Sequence, residues 1–378
     1  SLFPLSLKAS FAAMPKDSNL GLPWFTRDKD LAEDYLRRAL SIAQRGYEED
    51  IYPSIVGWRG QANGDPNMPK QRVVWMQDHV ETIIGLSVQV PILEALRRLT
   101  EFAAWNDLSR VDRVATQFID RAQHKIWSAD FSGFDKRLMR KVIHKAFDLL
   151  RLWFDESAKS QLDWLERQIV TVSLVTPTGV WSGTRQSMPS GSALTNLIDS
   201  LCQLLMIYGL LSPSARGTVL GDDGFYYDPD GIGLDSTTFV LFQAYSAKVS
   251  ADKGGFSQDA IRYLARIHMR NYRRNGICVG VRPLTRTWNG VCHIERLRTG
   301  LPEEFFSAAT IMKLENSKWH PRFRGAVEYY RSLDTIAQSL DPAKIFSAAG
   351  GTEFVEDVMN IKSFKFGFEL PTKVLDTF

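Results

Sequence analysis

Thr218-Val-Leu-Gly-Asp-Asp-Gly-Phe-Tyr-Tyr227 is the stretch from which the fold of this chain can be read. A short β-type run, Gly217–Leu220, leads into it, and an aromatic run, Phe225–Tyr227, leads out. Between them Gly221 and Gly224 tolerate positive φ, so the stretch predicts a tight hairpin with two adjacent carboxylates, Asp222 and Asp223, at its tip. Neighbouring like charges repel, and a cation that neutralises them is a reason for a chain to keep both. Asp-Gly is also among the commonest hairpin turns, so the motif by itself is equally a plain turn.

Two upstream stretches change that balance. In Trp127-Ser-Ala-Asp-Phe-Ser-Gly-Phe-Asp135, Ile126–Ala129 reads as a strand end. Lys136–Phe154 then has helical apolar spacing at Leu138, Val142, Ile143, Phe147, Leu150 and Trp153. Asp130 therefore falls where a strand stops, and Asp135 near a helix start, where an acidic residue is more commonly an N-cap. In Ser187–Ser200 a Pro-Ser-Gly loop leads into a helix with Leu194, Leu197, Ile198 and Leu201 on its apolar side. That leaves Ser190, Thr195, Asn196 and Asp199 as polar candidates.

Asp-x4-Asp, Ser-Gly-x3-Thr and Gly-Asp-Asp, in that order, resemble palm motifs A, B and C of viral RNA-dependent RNA polymerases. The closest resemblance is to double-stranded RNA viruses of the picobirnavirus and partitivirus type. Ser-Gly-Ser-x2-Thr-Asn-Leu-Ile-Asp-Ser and Leu-Gly-Asp-Asp-Gly look most like the picobirnavirus form. Three motifs in order are far more specific than any one alone. The resemblance implies an α+β right-hand fold, with fingers, an antiparallel palm sheet backed by helices, and a mainly helical thumb. It divides the chain into fingers over 1–120, palm over 121–160, a fingers insertion over 161–186, palm over 187–290 and thumb over 291–378.

The same resemblance assigns roles. Asp130 and Asp222, with Asp223 close by, would ligate two Mg²⁺ ions, for which Mn²⁺ would substitute. Asp135 would sense the ribose 2′-hydroxyl, with Ser190, Gly191, Thr195, Asn196 and Asp199 from motif B. Positive-strand RNA virus enzymes usually have Asn where Asp199 stands, whereas the double-stranded group often has Asp. A carboxylate only accepts hydrogen bonds, so Asp135 and Asp199 bond directly only if one is protonated; Asn196 is a candidate for the missing donor. Lys253 matches the motif D lysine, expected to protonate the leaving pyrophosphate.

Further along the chain, Lys70 and Arg72 alternate on a predicted strand and point the same way, matching the motif F face that holds the triphosphate. Arg59 is a candidate for the same task. Ser18-Asn-Leu-Gly-Leu-Pro23 resembles motif G, where template is admitted, with Ser18, Gly21 and Pro23 as RNA contacts. Family members carry further N-terminal sequence closing the fingers onto the thumb. That part reads as short or absent here, so a fragment is expected.

Gln168–Arg185 alternates around Pro177-Thr178-Gly179, a hairpin signal, and Thr237–Lys248 reads as a helix. Ala260–Ile294 holds seven arginines and no Asp or Glu. An acid-free run suits a face tracking a phosphate backbone better than a salt-bridged surface, and Arg282 and Arg286 are taken as RNA contacts. Within it Asn275–Leu284 looks like the motif E hairpin. Phe305, Phe306, Ile311, Met312, Leu314, Val327, Tyr329 and Tyr330 are candidate core positions of the thumb.

Composition sets outer bounds. The 378 residues suffice for a large core, and the net charge of +3 leaves nucleic-acid contacts to local patches. Cys202, Cys278 and Cys292 lack pairing or zinc spacing, which fits a reducing compartment. The six histidines form no metal pattern. No apolar run reaches the roughly eighteen residues of a membrane span. Expected partners are template and nascent RNA, ribonucleoside triphosphates and viral capsid protein, in host cytoplasm or inside the virion. A reverse transcriptase would usually present an aromatic and a small or apolar residue before the two aspartates, and a bulky side chain where Asp135 stands. A decayed, non-catalytic RNA-binding palm would not be expected to retain Asp130, Asp222, Asp223, Lys70, Arg72 and Lys253 together.

Overall fold

The structure is a computed structural model and describes residues 1–14, 19–61, 70–183, 187–232, 240, 242–245, 247–250, 254–292, 310, 313–314 and 316–333; within these the side chains of Lys29, Arg59, Gln61, Lys70, Gln71 and Arg331 are not described. The chain opens with α1 (Leu7–Ala12) and α2 (Ala32–Gln44), then strands β1 (Ser54–Gln61) and β2 (Lys70–Met76). Helices α3 (His79–Leu96) and α4 (Leu108–Arg121) precede β3 (Ile126–Ala129). Next come α5 (Phe134–Arg137), α6 (Arg140–Trp153), α7 (Lys159–Thr171), β4 (Leu174–Thr176), β5 (Gly179–Trp181) and α8 (Thr195–Met206). Strands β6 (Arg216–Leu220), β7 (Asp223–Tyr227), β8 (Gly255–Ser257), β9 (Ala260–Tyr263) and β10 (Arg266–Met269) follow, then α9 (Leu284–Cys292) and α10 (Phe323–Leu333). This is the α+β mixture expected. The strands form sheets ordered β2-β1-β4-β5, β6-β7-β3-β8 and β10-β9.

The chain divides into two compact units. The first holds residues 1–58, 73–102 and 129–255. Its central element is α3, apolar on all sides, with Val80, Ile83, Ile84, Val88 and Ile92 fully buried. Helices α1, α2 and α7 pack on it. Among the described residues, α3 is the one helix long and apolar enough to cross a membrane by length and composition. The sequence reading overlooked it because Glu81, Gln89 and Pro91 interrupt the run; its mostly buried surface is that of a core helix.

Two sequence expectations in this unit need correction. Residues 134–153 form two helices, because Leu138 and Met139 adopt extended ψ values of 125° and 140°. Apolar spacing does not register the break, since a four-residue step from Leu138 to Val142 reads the same through it. The alternation from Gln168 was read as strand, but α7 runs through Thr171, and the hairpin spans only Leu174, opposite Trp181, to Thr176, opposite Gly179. Strand β1 pairs parallel with β4, so this sheet is mixed. The expected helix over 237–248 is described in part, helical at residues 240 and 242–244.

The second unit holds residues 59–72, 103–128 and 256–378. Strands β9 and β10 form an antiparallel hairpin against α4, closed by Leu264 and Ala265 at φ 52° and 57°. A second turn at Asn275-Gly276, φ 48° and 80°, joins Arg274 to Ile277 within the expected motif E stretch. Val281 then bridges Ile267. At the centre lies buried Asp112, which accepts from His268 Nε2 at 2.9 Å and the Gly280 amide at 3.1 Å and pairs with Arg266 at 3.0 Å. Burial pushes the Asp112 carboxyl up, but the His268 hydrogen bond and the Arg266 charge outweigh it and leave it below its ordinary range.

The acid-free arginine run is thus corrected in part. Arg266 pairs with Asp112, Arg270 with Asp259 at 2.7 Å, and Arg273 with Asp120. Those carboxylates lie outside the run in sequence and beside it in space. Farther on, Trp288 of α9 meets Tyr329 and Tyr330 of α10 at ring-centroid distances of 5.4 and 6.4 Å. Leu314 and Val327 are buried as expected, whereas Tyr329 is exposed; Phe305, Phe306, Ile311 and Met312 lie outside the described residues.

Candidate active site

The β6–β7 hairpin pairs Arg216 with Tyr227 through to Leu220 with Asp223, leaving Gly221 and Asp222 as a two-residue loop. Gly221 has φ 62°, which a side chain would resist. Gly224 does not take positive φ. It is glycine because a Cβ there would sit 2.4 Å from Gln203 Oε1. Helix α8 supplies that glutamine as part of a polar stripe, Asn196, Asp199, Ser200 and Gln203, at spacing i, i+3, i+4, i+7. Ser200 Oγ accepts from the Gly221 amide at 2.8 Å, and Gln203 Nε2 donates to the Asp222 carbonyl at 2.8 Å. Tyr226 Oη donates in turn to Gln203 Oε1. The turn carrying the two aspartates is therefore held from one helix face. Ser200 and Gln203 escaped the sequence reading, although the stripe's spacing is a signal that could have found them.

Asp130 immediately follows β3, and Asp222 immediately precedes β7, its neighbour in the sheet. The Asp130 carbonyl accepts from Ser250 N at 2.8 Å, and Phe131 bridges Val249, so the chain approaching the motif D position runs alongside. Asp135 lies in the first turn of α5, whose N-cap is Gly133; among the described residues its Oδ1 accepts only from the adjacent Lys136 amide, at 3.0 Å. It is not the cap. Its carbonyl accepts from Met188 N at 2.8 Å, which ties motif A to the motif B loop.

Asp199 is 6% exposed, and its Oδ1 has no hydrogen-bond partner among the described residues. Burial, and then the charges of Asp135 and Asp222, raise its carboxyl well above the ordinary range. Motifs A, B and C thus converge electrostatically on one side chain. The Asp199 carboxyl is thereby pushed toward its protonated form. Asn196 Oδ1 is likewise buried without a partner and lies beside Gly221.

The loop before α8 rests on the junction of β2 and α3. Ser190 Oγ donates to the Val73 carbonyl at 3.3 Å, and Thr195 Oγ1 donates to the carbonyls of Pro189 and Ser192 at 2.7 and 2.9 Å. Gly191 lies so close to Trp75 that a Cβ would come 1.7 Å from its carbonyl oxygen. From the other side of the junction, Gly21 at φ 73° packs on the Gln77 carbonyl, and His79 N donates to the Leu20 carbonyl at 3.1 Å. Pro23 follows a cis peptide bond within that turn. Arg72 is exposed on β2; the backbones of Lys70 and Arg59 lie in β2 and β1. The side chains of Lys70 and Arg59, and all of Ser18 and Lys253, lie outside the described residues. Arg282 is half-buried and Arg286 exposed, and neither meets a carboxylate among the described residues.

Asp130, Asp222 and Asp223 offer only carboxylate oxygens, the donors a hard divalent cation takes. Among the described residues no three His, Cys, Asp or Glu side chains form a ready-made cluster. Magnesium is commonly held by one or two carboxylates together with substrate phosphates, so this donor set fits a cation shared with a nucleotide rather than a closed cage.

Residues 65–232 match the family model described as viral RNA-dependent RNA polymerase. Over 374 residues the chain is 28% identical to a potential RNA-dependent RNA polymerase of a human picobirnavirus (strain Human/Thailand/Hy005102/-), covering 92% of this chain and 68% of that protein. Its fold is similar to the crystal structure of an insertion-loop deletion mutant of a human picobirnavirus polymerase, with TM-score 0.80, 24% identity and coverage of 100% of this chain and 75% of that one. A second crystal structure of a human picobirnavirus polymerase gives TM-score 0.76 at 24% identity, over 97% and 71% of the two chains. Taken with the order of its three motifs, these likenesses support an RNA-dependent RNA polymerase similar to those of picobirnaviruses.

Proposed function

We propose that this polymerase copies RNA templates during viral genome replication and transcription by two-metal nucleotidyl transfer from ribonucleoside triphosphates. The observation that carries the reading is the Gly221–Asp222 turn, held by Ser200 and Gln203 of α8, in the sheet that also carries the strand ending before Asp130. In-line displacement at phosphorus leaves the protein chiefly positioning and charge stabilisation to do. Asp130 and Asp222, with Asp223 beside them, would hold two Mg²⁺ ions, or Mn²⁺ in their place. Such ions, when bound, activate a primer 3′-hydroxyl and stabilise the leaving pyrophosphate.

The remaining roles belong to side chains. Lys70, Arg72 and Arg59 hold the triphosphate by charge-assisted hydrogen bonds. Asp135 receives the ribose 2′-hydroxyl. Ser190 and Thr195 already donate their protons to backbone carbonyls, so toward the sugar they act as acceptors. Asn196 and protonated Asp199 supply donors, and Gly191 lets the loop sit flush on β2. Lys253 returns a proton to the leaving group. Residues 1–120 and 161–186 act as fingers, 121–160 and 187–290 as palm, and 291–378 as thumb. Ser18, Gly21 and Pro23 guide template, and Arg282 and Arg286 hold RNA. Capsid protein is the proposed partner, and host cytoplasm or the virion interior the proposed location.

Metal-dependent primer extension on an RNA template, with matched ribo- and deoxyribonucleotides, tests the proposal. Asp222→Asn and Asp130→Ala should each remove most activity while RNA binding survives. Wild-type turnover in either variant with Mg²⁺ would overturn the metal assignment, and equal use of deoxyribonucleotides would point to a reverse transcriptase.

A further inference from the structure

Glu81 is an acidic residue inside the most apolar helix among the described residues, only 1% exposed. Its Oε1 accepts from Ser192 Oγ at 2.5 Å and its Oε2 from the Ala193 amide at 3.4 Å. One turn on, a Cβ at Gly85 would come 3.0 Å from the Ala193 Cβ, and one turn further Gln89 Nε2 donates to the Ala193 carbonyl at 2.7 Å. Glu81, Gly85 and Gln89 thus form a single i, i+4, i+8 face of α3 that grips the amide, the Cβ and the carbonyl of one residue. Ser192 Oγ, fixed by Glu81, accepts from the Leu194 amide at 3.1 Å and so caps the approach to α8. Thr195 Oγ1 reads the Ser192 carbonyl from the other side.

A buried carboxylate is costly unless something is gained from it, and a glutamine or an apolar residue would pack an ordinary core position as well. Here the carboxylate offers two acceptors to two donors of the loop that carries Ser190, Thr195 and Asn196. We infer that Glu81 is a positioning residue for nucleotide selection: by holding Ser192 and Ala193 it sets the loop in the conformation that presents the sugar-reading side chains. It touches neither substrate nor metal. The inference rests on the sugar-site reading given above and extends it to a residue 49 positions before Asp130, the first residue of the three motifs.

The test is the ratio of kcat/KM for a matched ribo- and deoxyribonucleotide pair in the full chain. Glu81→Gln keeps size but replaces one acceptor by a donor, and Ser192→Ala removes the hydroxyl from the opposite side. Each should lower the ribo/deoxy ratio by roughly tenfold, the order expected from losing one buried hydrogen bond that holds the loop. The loss should appear in the ribonucleotide term, and the double variant should lose little more than either single one. Should Glu81→Gln fail to fold, Ser192→Ala alone carries the test. A purely structural Glu81 would lower the melting temperature and leave the ratio alone. If both variants keep the wild-type ratio while Asp135→Ala lowers it, the inference is overturned and the sugar site stands. If Asp135→Ala also leaves the ratio unchanged, the sugar site is misplaced and the inference falls with it.

Discussion

Asp135 does the work of no cap: Gly133 occupies that position, and among the described residues the Asp135 carboxylate accepts only from its neighbour's amide. Its electrostatic partner is Asp199, whose carboxyl is pushed toward the protonated form by burial and then by the charges of Asp135 and Asp222. A sugar hydroxyl arriving between them would meet one acceptor and one donor. Losing a hydrogen bond to a charged group costs about 1.5–3 kcal/mol, so Asp135→Ala should reduce ribo/deoxy discrimination by roughly ten- to a hundredfold. Competition incorporation assays measure that ratio directly, and an equal loss on both substrates would reduce Asp135 to a folding residue. Glu81 makes a separate prediction for stability. Burial raises its carboxyl from the usual 4.5 to about 7, against the opposing hydrogen bonds of Ser192 and Ala193. The native state then binds the proton more tightly than the unfolded chain, so this group's contribution is fully present below pH 4.5 and is lost as pH rises through 7. At about 1.4 kcal/mol per pKa unit, the loss approaches about 3 kcal/mol as an upper bound. Chemical denaturation of wild type and Glu81→Gln from pH 5 to 8 should show the variant's curve flatter by that order; parallel curves would refute it.

Among the elements, the β9–β10 hairpin departs furthest from ordinary turn chemistry. Leu264 and Ala265 both hold positive φ, where L-residues with a Cβ are strained by about 1–2 kcal/mol each. Ala265→Gly, alone or with Leu264→Asn, should stabilise the second unit by about 1 kcal/mol. The urea midpoint should rise with an unchanged slope, and a midpoint that falls would mean the hairpin is not under strain. Nothing in Arg262-Tyr-Leu-Ala-Arg266 marks a turn, and that hairpin was illegible in sequence for this reason. The Gly221 turn was legible because positive φ leaves a residue-type mark. Gly224 was read correctly as a needed glycine but for the wrong cause, since Gln203 lies 21 positions earlier and its approach leaves no local trace. Motif spacing marked Asp199 and Asn196. In α3 the isolation of Glu81 within an apolar run is a signal the sequence reading did not use, and it names no partner.

Across the whole molecule, sequence distance misled most at the arginines. The partners of Arg266 and Arg273, Asp112 and Asp120, precede them by 154 and 153 positions, so a run without acids is not a surface without acids. The structure separates the seven by environment. Neutralising Arg282 and Arg286 together should weaken RNA affinity for all sequences and reduce the salt slope by about 1.4, at roughly 0.7 per phosphate contact on a single strand. Arg266→Ala should instead unpair buried Asp112 and cost about 3–5 kcal/mol of stability, with any affinity loss following the folded fraction. Filter binding over a salt series, run beside thermal melts, separates the two; an unchanged slope for the double variant would make that pair structural as well.

The grip of α3 on the loop before α8 has a consequence for biosynthesis. Glu81 waits 111 residues for Ser192, and Gln89 waits 104 for Ala193. At translation rates of roughly 5–20 residues per second, an unusually apolar helix is made several seconds before the segment that satisfies its two polar side chains. Closing loops of that length comes late for entropic reasons too. The proposed nucleotide site is therefore among the last features to assemble, and a nascent chain stopped short of α8 should present α3 as a chaperone-binding segment.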